Sequence, residues 1–134
     1  ISGPLLDRID IQVEVTPVKY KNLEYEGKAE SSEEIKIRVN KVRKIQQKRY
    51  LNEKIYSNSQ LTPKLIEKYC VLNNEEKKLL EMAFNNLGLS ARAYGKILKV
   101  ARTIADLDNK ENIEINHLAE AIQYRSLDKK YWKN

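Results

Sequence analysis

Apolar and polar residues alternate strictly at the start of the chain, with Ile9, Ile11, Val13 and Val15 on one side and Asp10, Gln12, Glu14 and Thr16 on the other. A period of two predicts a half-buried strand. A lone strand is not stable without a sheet to join, so the chain reads as a piece of a longer protein whose sheet lies elsewhere. After "TPVKYKNLEYEGKAESS", which has no apolar period and reads as a connection, the spacing becomes helical. "EEIKIRVNKVRKIQQKRYL" puts Ile35, Val39, Val42 and Gln46 on one face, with Ser31 or Ser32 as the cap. Arg38 and Arg49 flank that face, and Lys41, Lys44 and Lys48 lie roughly opposite.

Four more helices follow. Thr62 caps a short one with Pro63 at its first position, where the missing N–H costs no hydrogen bond. Asn74, Glu75 and Glu76 open the next, which runs to Leu87 and is closed by Gly88 in the left-handed conformation. Ser90 caps "ARAYGKILKVARTIADL", whose Ala91, Tyr94, Ile97, Leu98, Ala101, Ile104 and Ala105 form one apolar stripe. Arg102 and Asp106, four apart, read as a surface pair on that helix. A last helix is expected over about 116–127, with Leu118, Ala121, Ile122 and Arg125 inward. The predicted fold class is therefore mainly α, a bundle of about five helices preceded by one strand. The expected domains are 1–18 with the strand, a linker over 19–32, and the helical domain over 33–134.

Composition narrows the classes. The 134 residues are 41% hydrophobic and 33% charged, enough for one core, and no apolar run approaches the roughly 20 residues that span a bilayer. No signal-peptide pattern occurs either, so a cytoplasmic protein without membrane partners is expected. Cys70 has no cysteine to pair with and His117 no companions at metal-ligand spacing, so packing or surface roles and no metal are expected. Of the net charge of +6, eight basic residues against three acids between Glu33 and Lys54 supply +5. Such a stretch can contact phosphates, although a run of this kind is more often a solvated helix face.

Two arginines stand out. Arg92 occupies the second position of its helix, where the positive end of the dipole disfavours a cation by roughly 0.3–1 kcal/mol, and the wheel sets it off the apolar stripe beside Lys96 and Lys99. A bound anion at that terminus would offset the cost; full solvation would reduce it. Arg8 stands at the end of a possible turn opened by Pro4, immediately before the strand. It can be aimed outward at little entropic cost, or it can pair with Asp7 or Asp10 for roughly 0–1 kcal/mol.

Four blocks, "SGPLLDRIDIQVEV", "RVNKVRKIQQKR", "LSARAYGKILKVARTIADL" and "HLAEAIQYRSLD", in this order and spacing, resemble the C-terminal part of the magnesium-chelatase-like AAA+ ATPases, and most of all the ComM/YifB type linked to DNA processing in competence. The resemblance weakens over about 19–32 and 55–74. It implies a helical lid, preceded by the last strand of an AAA+ α/β core. It also implies that Arg8 is an arginine finger acting on ATP held by a neighbouring subunit, and that Arg92 is the sensor-2 arginine reaching ATP in its own subunit. The longer protein would then use ATP with magnesium, assemble into a ring and act on DNA. No secure chemical role follows for Arg38, Arg43, Gln46 or Arg49; lid packing and salt bridges are expected ahead of nucleic-acid contact.

These residues contain no GxxxxGK[ST] phosphate loop and no acidic strand end for magnesium. The chain alone is therefore not expected to be an enzyme or to hold a nucleotide. The alternative reading is an autonomous nucleic-acid-binding module that uses the basic helix over 33–54, with Lys36, Lys41, Lys44 and Lys48 as the phosphate contacts.

Overall fold

The computed structural model describes residues 31–125. The expected strand over 9–15, Arg8 and most of the expected linker lie outside them. Within them the chain forms five α-helices: α1 (Ser32–Arg49), α2 (Pro63–Tyr69), α3 (Asn74–Leu87), α4 (Ala91–Leu107) and α5 (Ile115–Gln123), with a 3-10 turn (Asn58–Gln60) between α1 and α2. No strand occurs among the described residues.

The caps follow the local chemistry. Ser31 Oγ accepts from Glu34 N at 3.1 Å, Thr62 Oγ1 from Leu65 N at 3.3 Å and Ser90 Oγ from Ala93 N at 3.1 Å, each satisfying an otherwise orphaned first-turn donor. Gly88 closes α3 at φ 60° and ψ 45°, a conformation that costs glycine nothing. α5 begins one residue earlier than expected and ends at Gln123 rather than near 127, Tyr124 and Arg125 forming a turn. A histidine starts it: Glu114 N donates to His117 Nδ1 at 2.9 Å, so the ring proton sits on Nε2, which donates to Asp108 Oδ2 at 2.8 Å.

α5 packs against both α4 and α3, while α2, the 3-10 turn and α1 rest on α4. Ile97, Leu98, Ala101 and Ala105 of α4 meet Leu118, Ala121 and Ile122 of α5 and Leu80 and Ala83 of α3 in one apolar cluster. The apolar face of α4 also takes in Ala93 and Val100, beyond the expected stripe. Two residues of that stripe, Ala91 and Tyr94, are exposed instead.

α1 is different. Val42 and Gln46 are its buried residues, and Val42 stands outside the main apolar cluster. Ile35 and Val39, on the same face, remain 41% and 37% exposed, and every residue from 31 to 41 is exposed. The first half of α1 projects from the bundle; its last turn fastens it. There Tyr50, fully buried, meets the Tyr69 ring edge-to-face at 5.0 Å.

Candidate functional site

Arg92 is where the sequence places it, exposed in the first turn of α4 just after the Ser90 cap. No hydrogen bond or ion pair among the described residues engages it. Its guanidinium therefore stands in solvent at the positive end of a 17-residue helix, an arrangement that favours an anion between them. Along α4 the same side continues through Lys96 and Lys99, and Lys99 Nζ donates to Ser59 O of the 3-10 turn at 3.4 Å. Lys36, Lys41, Lys44 and Lys48 are all exposed on α1. They form a separate basic face, on a helix that joins the body near the far end of α4, about 21 Å along its axis from Arg92 at 1.5 Å per residue. The two sets of basic side chains lie on different helices.

A polar cluster missed at the level of sequence lies at that far end. Asp106 and Arg102 are 3% exposed each, which corrects the expectation of a surface pair. The Asp106 carboxylate accepts five hydrogen bonds. Arg49 donates from Nη1 to Oδ2 at 3.0 Å and from Nη2 to Oδ1 at 2.5 Å, Gln46 Nε2 to Oδ2 at 3.1 Å, Asn58 Nδ2 to Oδ2 at 3.0 Å, and Arg102 Nε to Oδ1 at 3.1 Å. Arg102 spends its other donors on the α4–α5 loop, at Glu111 O (2.8 Å) and Lys110 O (2.7 Å). Asn58 closes the network: its N donates to Gln46 Oε1 at 3.0 Å, and its Oδ1 accepts from the Tyr50 hydroxyl.

A buried carboxylate is tolerated only when its lone pairs are filled in this way. Burial works against the Arg49 charge, but the hydrogen bonds to Asp106, with Tyr50 adding to them, outweigh it and hold the guanidinium even more firmly protonated than usual. Burial likewise pushes the Tyr50 phenol up. The cluster contains no nucleophile beside a base, and among the described residues no three His, Cys, Asp or Glu side chains gather as a metal site. It is built to hold elements together.

One groove of about 740 Å³ opens between α2, α3 and the start of α4, floored by Ile66, Cys70, Leu80 and Leu98 and edged by Phe84 and Tyr94. It brings no convergent polar groups to its floor. Burial pushes the Cys70 thiol up to about 11, which leaves it unreactive. Among the described residues no helix is long and apolar enough to cross a membrane.

Comparison with known proteins adds the family context. The family model for magnesium chelatase, subunit ChlI C-terminal, matches residues 29–125. Competence protein ComM of Haemophilus influenzae is 45% identical over 128 residues, covering 95% of this chain and 24% of that protein. The uncharacterized protein YifB of Salmonella typhimurium is 40% identical over 131 residues, 96% of this chain and 25% of its own. A Mycobacterium bovis protein, Mb2921c, is 26% identical over 125 residues, 93% and 25%. The chain thus spans about a quarter of the length of the curated relatives it matches.

Proposed function

Because the chain belongs to the magnesium chelatase, subunit ChlI C-terminal family, we propose that it is the helical lid of a ring-forming AAA+ ATPase of the ComM/YifB type that couples ATP hydrolysis to DNA processing in the cytoplasm. In this reading Arg92 is the sensor-2 arginine, reaching a phosphate of magnesium-bound ATP held by the same subunit's core. Arg8, just before the strand over 9–15, is the arginine finger offered to the neighbouring subunit.

The observation that carries the reading is Arg92. It is exposed and takes no partner among the described residues at a helix N-terminus, where only an anion brought from elsewhere gives the charge a favourable contact. Its chemistry would be electrostatic. The guanidinium and the helix end beside it would hold the nucleotide and stabilise negative charge on the transferring phosphoryl group. The phosphate loop and the magnesium ligands belong to the core of the longer protein.

Turnover in that protein tests both arginines. Arg8→Ala is expected to cost roughly 10³–10⁵ in kcat with ATP binding nearly intact, as for a finger that acts on the transition state, whereas Arg92→Ala weakens binding and turnover together. Mixing Arg8→Ala subunits with phosphate-loop-dead subunits should restore part of the activity, because intact sites then form between chains. Full turnover by the Arg8→Ala ring would end the finger assignment.

One observation favours a second reading. Lys36, Lys41, Lys44 and Lys48 are all exposed on α1, whose first half projects from the bundle. An autonomous nucleic-acid module of this kind would hold duplex DNA at sub-micromolar strength in physiological salt, with log affinity falling by about 0.9 per log salt for each phosphate neutralised. A lid by itself would bind little.

A further inference from the structure

We propose that the hydrogen-bonded cluster on Asp106 is an orienting joint, fixing the angle of α1 to the helical body so that α1 moves with α4 as one rigid unit. Gln46, Arg49 and Asn58 are then positioning residues. Two independent observations support this. First, apolar burial gives α1 little hold: Val42 is its one buried apolar side chain and lies outside the main cluster, while Ile35 and Val39 stay more than a third exposed. Apolar contact is non-directional, and so little of it leaves the crossing angle of an 18-residue helix poorly specified.

Second, what does hold α1 is directional and comes from several elements at once. The Arg49 fork grips both oxygens of Asp106, Gln46 donates to the same carboxylate and accepts from Asn58 N, and Arg102 ties that carboxylate to the α4–α5 loop. A planar two-point contact plus an amide used at both ends fixes rotation as well as distance. Asp106 and Arg92 sit near opposite ends of the same helix, so a displacement of α4 set by a phosphate at Arg92 would be conveyed through Asp106 to α1. That last step rests on the lid reading; the joint itself does not.

The test has two arms. In the 134-residue chain, nitroxide labels at Lys36→Cys and Lys78→Cys, both exposed positions, report the α1-to-body distance by pulsed electron resonance. Cys70 is buried and does not compete for label. Arg49→Lys keeps the charge and loses the fork; Gln46→Leu keeps the bulk and loses both hydrogen bonds. Each is expected to widen the distance distribution at least twofold while the helical signal of the body is retained. An unchanged width in both variants overturns the joint, and so does loss of the whole fold in both, which would make the cluster a stability element only.

In the longer protein the same variants are expected to lower kcat about tenfold with the KM for ATP within twofold of wild type, against an Arg92→Ala control that raises KM. Unchanged kcat beside an impaired Arg92→Ala overturns the transmission of motion. Unchanged activity in Arg92→Ala overturns the lid reading instead, and leaves the joint to be judged on the distances.

Discussion

Asp106 shows at the scale of one residue how a charge comes to be buried. Its five donors come from α1, the 3-10 turn and its own helix, and removing the acceptor would strand Arg49, Arg102 and Asn58 together. Asp106→Ala is therefore expected to destabilise the fold by about 3–5 kcal/mol, read as a shift in the denaturant midpoint; a loss under 1 kcal/mol would mean that water replaces the carboxylate. The helical wheel sets Arg102 and Asp106 beside the apolar stripe, and such residues are usually solvated. The Asp106 partners Arg49 and Gln46 lie 57 and 60 positions away in sequence, which no local period reveals. The available signal was Gln46, a polar residue in line with the apolar face of α1. Cys70 gives a second prediction. With its thiol raised to about 11 by burial, alkylation at pH 8 should run at least about a hundredfold slower than in denaturant, since only the thiolate reacts. Comparable rates would show that the floor of the groove is open.

Among the elements, those with sharp local chemistry were legible and those defined by their neighbours were not. Thr62–Pro63, Gly88 and Ser90 mark their helix ends without tertiary help, because each satisfies a backbone requirement on the spot. Ser90→Ala should accordingly cost about 1 kcal/mol in denaturant unfolding. The seating of α1 was illegible. Four residues at helical spacing suggest a fully packed face, but the bundle reaches only the last two, Val42 and Gln46. Amide exchange should show this: residues 32–41 are expected to exchange far faster than 97–105 of α4, and equal protection would mean that the first half of α1 is covered. The connection from α1 to α2 has its own pH dependence. Glu53 accepts from Lys68 Nζ at 2.8 Å and from the Tyr69 hydroxyl, and these bonds hold its carboxyl below the ordinary range. A group depressed in the folded state stabilises above the unfolded value and loses that effect as pH falls through the folded one. The difference in thermal midpoint between wild type and Glu53→Gln, small at pH 7, should close in acid.

At the scale of the molecule, the described residues present basic side chains on two helices, α1 and α4. The exposed lysines of α1 and the Arg92 end of α4 are separate, and the Asp106 cluster joins the helices that carry them. A nucleic-acid module needs the first surface, whereas a lid needs the second together with a core that supplies the nucleotide. The family, matched over residues 29–125, and the position of Arg92 favour the lid. The most direct measurement is equilibrium ATP binding by the longer protein carrying Arg92→Ala, beside Lys44→Ala on α1 as the control. The lid account predicts at least a tenfold weaker Kd for Arg92→Ala, about 1.4 kcal/mol, and a value within twofold of wild type for Lys44→Ala. An unchanged Kd in Arg92→Ala would contradict it.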